Sequence, residues 1–346
     1  MPTNVSPEYK KAEAEFRQAR TPEDRLAALR EMLRTLPKHK GTEHLQADIR
    51  SRIKELSEEL AGPRKGGAHT GPAHVVHPEG AGQVALLGPP NSGKSALHGR
   101  LTGSHAAVGP YPFTTQFPQP GMLPHLDVGI QLVDLPPVAS QHPVPWLANA
   151  LQPADGALLV IDLGDPACVE VVLELHEMLA ARRVFLTADW TRPDARAAGD
   201  SGAAQDDEYD DPFAIHLPTL LIATKAERVD HYDEELAAFR ELTGRDYPSV
   251  TVSAETGAGL DAIPAFLFDH LGVVRVYTKI PGQPPDLSRP FTVRRGQTVE
   301  DVAALIHKDL VATLRWARLW RQEIEGLQVG KHHVVEDGDV LEIHTH

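Results

Sequence analysis

The sequence has little of the material from which several classes of protein are built. It contains one cysteine, Cys168, among 346 residues, so a disulfide framework within the chain and a thiolate metal cluster are both excluded. No run approaches the ~18 apolar residues of a membrane helix, and residues 1–11 lack the order of a signal peptide. These absences predict a cytoplasmic protein that does not contact a membrane.

Positive charge is in the minority, with 34 Lys and Arg against 48 Asp and Glu and a formal net charge of -14. This balance argues against a surface that coats nucleic acid in general, and DNA is not an expected partner. A local basic face on one domain could still contact RNA. The length allows two or three domains and a sizeable core.

The first 82 residues predict two segments. Residues 1–61 repeat Leu and Ile near helical spacing, with Thr21 and Pro22 as a helix start and 36–41 as a stop, so they predict an antiparallel helical pair, here called the arm. The arm either docks a partner or packs on the rest of this chain. Residues 62–82 are rich in Gly, Pro and His and predict a flexible linker, whose histidines at 69, 74 and 77 are expected to hold no metal.

Residues 83–272 alternate β-like runs with helical stretches, which is typical of a mostly parallel sheet wrapped by helices. The runs are 84–87, 129–133, 156–162, 184–187, 219–223 and 249–252. An insertion at about 190–217, with the acidic run 206–211, has no periodicity and predicts a disordered loop rather than a carboxylate metal site.

Residues 273–346 predict a small α+β domain. Strands are expected at 274–277, 291–293 and 340–343, and a helix over 299–310. The histidines at 332, 333, 344 and 346 could bind a metal, but alternation in a terminal strand is the simpler interpretation.

Residues 88–95 read Gly-Pro-Pro-Asn-Ser-Gly-Lys-Ser and fit the phosphate-loop pattern G-x-x-x-x-G-K-[ST] directly after an apolar run. In such a loop the backbone N–H groups point at phosphates at the start of the next helix. Lys94 would reach the β- and γ-phosphates, and the Ser95 hydroxyl would bind Mg²⁺. The residues assigned to the nucleotide phosphates are Gly88, Asn91, Ser92, Gly93, Lys94, Ser95 and Ala96.

Two further residues follow at spacings that suit a nucleotide site. Thr115, in a segment with few helical or strand features, could complete the Mg²⁺ shell. Asp134 ends an apolar run, at the edge of a parallel sheet where ligands bind, and is a candidate Mg²⁺ carboxylate. Lys94, Thr115 and Asp134 are therefore the candidate catalytic residues.

Guanine recognition is predicted from two later strings. Thr224-Lys225-Ala226-Glu227 is close to N/T-K-x-D, in which a carboxylate accepts two hydrogen bonds from the base and the lysine stem covers the ring. Residues 253–260 match S-A-x-T-G-x-G-L and add Ser253, Ala254 and Glu255 to the base site. Because Glu227 stands where the motif has aspartate, an ATPase is a lower-ranked alternative.

These motifs, in this order, resemble the Obg-like GTPases and, among them, the developmentally regulated GTP-binding (DRG) proteins. Further stretches that carry the resemblance are 38–44, 112–115, 276–279, 282–286 and 306–311. The last three, with 335–340, resemble a TGS domain, a ubiquitin-like β-grasp module. The resemblance implies a phosphate-loop G domain that binds GTP and hydrolyses it slowly with Mg²⁺, and ribosome or RNA partners reached through the TGS domain and the arm.

Three residues and one segment bear on how far that resemblance extends. Pro137 replaces the glycine of D-x-P-G in the second switch and has no N–H for the γ-phosphate. Val138 stands where Ras-like enzymes place a water-orienting glutamine, which the Obg group also replaces with an apolar residue. Asn91 stands where potassium-stimulated GTPases coordinate K⁺. Residues 137–157 leave no room for the helical subdomain of DRG proteins. A nucleotide-binding scaffold without effective hydrolysis is therefore the alternative function.

Overall fold

The computed structural model describes most of the chain. The described residues are 6–19, 21–37, 42–60, 75–104, 117–139, 144–191, 211, 213–229, 231–322 and 324–345. The chain divides into two compact units, one formed by residues 1–73 with 196–214, and the other by 74–195 with 215–346. The domain boundaries predicted at 61, 82 and 272 stay predictions.

The arm contains three helices, α1 (Pro7–Gln18), α2 (Pro22–Thr35) and α3 (Glu43–Leu60). Helices α2 and α3 correspond to the predicted pair, with the predicted start at Thr21, and α1 was not predicted. Ser6 and Thr21 cap α1 and α2 by accepting backbone N–H groups, and a proline follows each cap. The leucine periodicity did not reveal α1 because its buried positions are Tyr9, Ala12 and Phe16. The predicted stop at 36–41 lies partly outside the described residues.

The arm has a hydrophobic cluster of its own, and one member comes from the insertion. The buried members are Tyr9, Ala12, Phe16, Ala28, Leu29, Met32, Leu36, Ile49 and Phe213. The insertion was predicted to end at about 217, but Phe213 is part of this cluster and a strand begins at Ile215. The insertion therefore ends earlier than predicted. Of the acidic run 206–211, only Asp211 is among the described residues.

The second unit begins with a seven-stranded sheet of strand order β2-β3-β1-β4-β6-β5, with β7 also paired to β6. The strands are β1 (Gln83–Leu87), β2 (Gln119–His125), β3 (Val128–Asp134), β4 (Gly156–Asp162), β5 (Val184–Thr187), β6 (Ile215–Thr224) and β7 (Ser249–Thr251). All neighbours pair in parallel except β2, which runs antiparallel to β3. Strand β2 was not predicted because it contains Pro120, Gly121 and Pro124, residues that strands tolerate at edges.

Helices cover both faces of this sheet, as predicted. They are α4 (Lys94–Thr102), α5 (Leu147–Leu151), α6 (Cys168–Ala180), α7 (Tyr232–Thr243) and α8 (Ala262–His270). One apolar cluster includes α5 and α6, and another includes α4 and α8. Cys168 is buried in the first cluster, and burial raises the pKa of its thiol to about 12. The thiolate is therefore suppressed at neutral pH.

The remaining strands form a separate five-stranded sheet of order β11-β10-β12-β8-β9. Its elements are β8 (Val273–Thr278), β9 (Asp286–Arg294), α9 (Val299–Ile306), α10 (Lys308–Thr313), β10 (Leu314–Arg321), β11 (Ile324–Val329) and β12 (Asp339–Thr345). The single helix predicted over 299–310 is interrupted at His307, whose backbone is extended. Strand β10 was not predicted because Trp316 and Trp320 lie on the face opposite to the buried Ala317 and Leu319, so apolar residues occur on both faces and hide the alternation. Strand β11 was not predicted because Gly326 interrupts it.

Charged contacts join the two sheets of the second unit. Arg294 of β9 pairs with Asp155, Nη2 to Oδ2, at 2.9 Å. The same Asp155 oxygen accepts the backbone N–H of Gln83 at the start of β1. Arg275 of β8 pairs with Asp127, at the turn between β2 and β3, at 2.9 Å. The C-terminal domain thus contacts strand ends opposite to those that carry the predicted nucleotide residues.

Candidate functional site

The phosphate loop lies between β1 and α4. Strand β1 is buried at every position. Gly88, which follows it, has φ +153°, and a Cβ at this position would lie 2.2 Å from the Val160 carbonyl oxygen. Gly93 has φ +91° and is the N-cap of α4. The close approach at Gly88 and the left-handed φ at Gly93 explain why the loop needs glycine at both positions. The loop leads directly into the positive end of α4.

Lys94 is folded inward within this loop. Its side chain is buried, and Nζ donates to the carbonyl oxygens of Gly88 at 3.1 Å and Pro89 at 3.0 Å. Burial lowers the pKa of Lys94 to about 8, while the nearby Asp134 carboxylate opposes that shift. A buried ammonium group in this position favours an anionic ligand.

Ser95 and Asp134 meet where the loop enters α4. The Ser95 hydroxyl donates to Asp134 Oδ2 at 2.6 Å. Asp134 is fully buried at the end of β3 and pairs in register with Leu86 of β1. Hydroxyl and carboxylate oxygens are ligands that Mg²⁺ prefers, so the donor set fits this ion. Thr115, the third predicted ligand, lies outside the described residues.

Ser92 adds an observation that favours phosphate binding. Its Oγ is buried in the loop and has no hydrogen-bond partner among the described residues. A buried hydroxyl without a partner is costly, and a phosphate oxygen would satisfy it. The residues of the loop therefore fit the group that the motif predicts.

The second-switch stretch is packed against the phosphate loop. Residues 135–138 are all buried, and the Val138 N–H donates to the Gly88 carbonyl oxygen at 3.2 Å. Pro137 itself has no N–H to donate. Val138 is 2% exposed within an apolar cluster, so its side chain cannot orient a water molecule by hydrogen bonding.

Thr224 connects the base-recognition string to the phosphate loop. It ends β6, is almost fully buried, and its hydroxyl lies 2.7 Å from the Ser92 carbonyl oxygen and 3.0 Å from that of Ile161. One hydroxyl proton serves these two acceptors. The hydroxyl thus holds the loop in place relative to β4 and β6.

Lys225 is held by a partner that the sequence did not identify. Lys225 Nζ lies 2.5 Å from Asp162 Oδ2 and donates to the Asn91 carbonyl oxygen at 3.0 Å. Asp162 ends β4 at the carboxyl edge of the sheet, which is the signal that identified Asp134 and applies equally here. Both Asn91 and Lys225 have left-handed backbones, with φ of 60° and 58°.

Glu227 and Ser253, which come from the two strings assigned to guanine, lie side by side. A side-chain hydrogen bond from Ser253 lowers the pKa of Glu227, which is thus ionised at neutral pH. The Ala226 N–H donates to the Val252 carbonyl oxygen at 3.3 Å and joins the two loops. Ala254 is half-buried and Glu255 is exposed in the turn that follows. The Glu227 carboxylate can therefore accept N–H donors of a base.

Metal ligation by histidine finds no support in the part of the chain that is described. No group of three or more His, Cys, Asp or Glu residues is placed there to hold a metal ion. His344 lies within β12, with Nε2 2.7 Å from Glu342 Oε1 and its ring stacked on Trp316. Within the same described residues, no helix is both long and apolar enough to span a bilayer.

Comparisons with known proteins agree with this geometry. Residues 83–188 match the family model described as 50S ribosome-binding GTPase, and residues 274–345 match the TGS domain. An uncharacterized GTP-binding protein of Methanocaldococcus jannaschii is 27% identical, with 93% of this chain and 92% of that protein covered. Developmentally-regulated G-protein 1 of Arabidopsis thaliana is 28% identical, with 90% and 88% covered.

Over most of its length the chain is thus similar to developmentally regulated GTP-binding proteins and to archaeal GTP-binding proteins, which agrees with the resemblance to the Obg-like GTPases of the DRG type. It is a GTP-binding protein with a phosphate-loop G domain and a C-terminal TGS domain. Among solved structures, a GTP binding protein from Pyrococcus horikoshii OT3 matches 76% of this chain and all of its own, with a TM-score of 0.48 and 18% identity.

Proposed function

We propose that this DRG-type protein binds GTP with Mg²⁺ and hydrolyses it slowly to GDP and phosphate. The observation that carries the proposal is a set of three hydrogen bonds at one edge of the sheet, which involve the phosphate loop, Asp134 and the two strings assigned to the base. Ser95 bonds to Asp134, Thr224 bonds to the Ser92 carbonyl oxygen, and Ser253 bonds to Glu227. The carboxyl ends of parallel strands are where such sheets bind ligands.

Each predicted residue receives a role in this proposal. The phosphates are assigned to Gly88, Asn91, Ser92, Gly93, Lys94, Ser95 and Ala96. The base is assigned to Thr224, Lys225, Glu227, Ser253, Ala254 and Glu255. Mg²⁺ is assigned to Ser95, Asp134 and Thr115, and a K⁺ ion is a further candidate at Asn91. The proposed catalytic residues are Lys94, Thr115 and Asp134.

Hydrolysis would depend on position and charge rather than on covalent chemistry by the protein. Lys94 and the loop N–H groups would hold the phosphates, and Asp134 would orient the Ser95 hydroxyl. Mg²⁺ would neutralise charge on the phosphate oxygens. Val138 offers no polar group for the attacking water and Pro137 no N–H for the γ-phosphate, so we expect a slow intrinsic rate. A K⁺ ion could supply the charge that an arginine finger supplies elsewhere.

Single-turnover hydrolysis of GTP and ATP, in Na⁺ and in K⁺ buffers, tests both the proposed reaction and the proposed preference for guanine over adenine. We expect GTP turnover above the buffer rate, with little ATP turnover. Tight GTP binding without turnover would instead support a nucleotide-binding scaffold, which the comparisons do not favour. Preferential binding and turnover of ATP would contradict the base assignment.

The Lys94→Ala variant tests the location of the site. Removing the buried ammonium group should abolish measurable nucleotide binding, because Lys94 is the cation buried within the loop, whereas the Lys225 ammonium group that also reaches the loop is paired with Asp162. Lys331→Ala is the matched control, since Lys331 is a half-buried lysine that pairs with Glu300 in the TGS domain. Equal binding by Lys94→Ala and the unaltered protein would show that the nucleotide binds elsewhere.

We also propose a ribosome or RNA partner in the cytoplasm, reached through the TGS domain and the arm. Residues 273–346 carry ten Lys and Arg and ten Asp and Glu, so the net charge of -14 lies in residues 1–272. On β10, Trp316, Arg318 and Trp320 alternate with the buried Ala317 and Leu319 and therefore share the outer face of the sheet. Aromatic and cationic side chains on one sheet face suit unpaired bases.

Binding of a labelled RNA to the full chain at several salt concentrations tests the proposed partner. A steep loss of affinity with salt would indicate phosphate contacts, and Trp320→Ala should weaken binding further because stacking is lost. Binding that is insensitive to both changes would contradict an RNA partner at the TGS domain.

A further inference from the structure

Asp162 ends β4 at the carboxyl edge of the sheet and belongs to none of the predicted nucleotide motifs. Both oxygens of its carboxylate are occupied. Oδ1 accepts the Gly164 N–H at 3.0 Å, and Oδ2 lies 2.5 Å from Lys225 Nζ. The Asp162 side chain is 17% exposed and that of Lys225 is 27% exposed. The ion pair is therefore partly shielded from solvent, where salt weakens it less, and the turn at Gly164 orients its carboxylate.

The Lys225 side chain connects the end of β6 to the phosphate loop. Its Nζ donates to the Asn91 carbonyl oxygen at 3.0 Å as well as to Asp162. The ammonium group thus has one partner on β4 and one in the loop, and these partners fix the aliphatic stem between Cα and Nζ. A lysine stem without such partners samples many rotamers, and ordering it when a ligand binds costs conformational entropy.

The backbone at both ends of this connection is in the left-handed region. The φ angle is 58° at Lys225 and 60° at Asn91. Asparagine tolerates this region, whereas lysine seldom adopts it unless surrounding contacts hold it there. The conformation of Lys225 therefore depends on its contacts, among which the one with Asp162 joins two opposite charges.

The phosphate loop has attachments that do not involve Asp162. Thr224 is the partner of Asp162 in the register of β4 and β6, and its hydroxyl lies 2.7 Å from the Ser92 carbonyl oxygen. Lys94 also holds the loop from within by donating to two of its carbonyl oxygens. A change at Asp162 should therefore leave the loop in place and act mainly on Lys225.

We propose that Asp162 is a positioning residue for the nucleotide base. Its carboxylate holds the Lys225 stem at the place proposed for the guanine ring, so that the stem is ordered before the nucleotide binds. The proposal rests on the proposed binding of guanine by Lys225 and Glu227, and it does not depend on hydrolysis. Asparagine at this position would offer one acceptor oxygen to two donors, the Gly164 N–H and the Lys225 ammonium group. The amide would therefore lose one of the two contacts.

Calorimetric titration of the full chain with GDP and with inorganic pyrophosphate, in Mg²⁺ buffer, tests this role. Asp162→Asn should bind GDP at least about tenfold more weakly than the unaltered protein, because binding must then order the lysine stem. Its affinity for pyrophosphate, which has no base, should stay the same, and this also shows that the loop of the variant is folded. Asp165→Asn is the matched control, since Asp165 is exposed in the next turn and accepts the Ala167 N–H there. This control should bind GDP as the unaltered protein does.

A double-mutant cycle with Lys225→Met shows whether Asp162 acts through Lys225. Methionine keeps an unbranched apolar side chain and removes the ammonium group. If Asp162 acts by holding Lys225, the double variant should bind GDP no more weakly than Lys225→Met alone. Additive losses of affinity would show that Asp162 acts by another route, and they would overturn the proposal.

The remaining outcomes separate this role from the proposed function. Equal GDP affinities of Asp162→Asn and the unaltered protein would reject the positioning role and leave the guanine site standing. A parallel loss of GDP and pyrophosphate affinity would show that Asp162 supports the whole phosphate loop, which also rejects the role. An unaltered protein that binds GDP no more tightly than pyrophosphate would reject the base site itself, and the positioning role with it.

Discussion

At the scale of single residues, the proposed base site depends on the carboxylate of Glu227. Ser253 donates to this carboxylate, which keeps it ionised and lowers its pKa. An ionised carboxylate accepts two N–H bonds from guanine, whereas adenine offers an acceptor at the corresponding ring nitrogen and would be repelled.

Replacing Glu227 with glutamine should therefore lower GTP affinity and leave ATP affinity unchanged. We expect GTP to bind at least about tenfold more weakly, because one charge-assisted acceptor is lost and an amide N–H faces a donor. Competition against a fluorescent nucleotide measures both constants. Glu241→Gln, on the exposed face of α7, is the control. An equal loss of ATP and GTP affinity would show that Glu227 does not select the base.

The lowered pKa of Lys94 leads us to expect that nucleotide binding depends on pH. Burial lowers its pKa to about 8 in the nucleotide-free protein, and a bound phosphate would raise it again. Above about pH 8, nucleotide binding then requires Lys94 to take up a proton. The affinity for the nucleotide therefore falls as the pH rises through that value. We expect GDP to bind about tenfold more weakly at about pH 9 than at about pH 7.

The Lys94→Arg variant separates the titration of Lys94 from the titration of the guanine ring of the nucleotide. Arginine stays protonated throughout the range, so the part of the pH dependence due to Lys94 should disappear. The same calorimetric titration of GDP measures both proteins. An identical pH dependence in the two would mean that Lys94 does not titrate during binding.

At the scale of elements, the second switch is held in place by its backbone. Pro137 fixes one φ angle, residues 135–138 are buried, and Val138 donates to the Gly88 carbonyl oxygen. A segment held in this way has few ways to respond to the γ-phosphate. The triphosphate and diphosphate states should therefore differ little at this switch.

The Pro137→Gly variant tests that expectation. Glycine restores an N–H and adds backbone freedom, so binding of a non-hydrolysable GTP analogue should strengthen several-fold relative to GDP. Pro136→Gly is the control, because it restores an N–H one position earlier. The ratio of the two dissociation constants is the measurement, and equal ratios in both variants would count against a specific role for position 137.

At the scale of the whole molecule, each of the two compact units has its own apolar core. In the second unit, the TGS sheet and the nucleotide-binding sheet are joined by Arg294 with Asp155 and by Arg275 with Asp127. The side chains of Arg294 and Asp155 are 13% and 11% exposed. Loss of one partner therefore leaves a charge with little access to water.

Asp155→Ala should destabilise this unit by about 2–3 kcal/mol, since it leaves Arg294 and the Gln83 N–H without their acceptor. Chemical denaturation followed by tryptophan fluorescence measures the change. Lys331→Gln, which breaks a more exposed pair with Glu300, should cost under about 1 kcal/mol. Equal effects of the two substitutions would show that the Arg294 contact contributes no more than a surface pair.

The sequence alone determined the centre of the candidate site. The phosphate loop, Asp134 and the strings at 224–227 and 253–260 are local, and each follows a strand that its own apolar run predicts. Parallel strands that end at one edge then bring distant strings together without further information. The mostly parallel sheet was predicted from the same apolar runs, apart from strand β2. The C-terminal α+β domain was predicted from local patterns, apart from strands β10 and β11, and its β-grasp fold was implied by the resemblance to a TGS domain.

Only the tertiary structure decided which distant side chains pair. Asp162 holds Lys225, Asp155 accepts both Gln83 and Arg294, and Phe213 completes the core of the arm. In each case the partners are far apart in the chain and neither has a local pattern that indicates the other. Helix α1 and strand β2 were missed because aromatic, small and proline residues there hide the usual periodicity. Such contacts are selected by packing and burial, which depend on the whole fold.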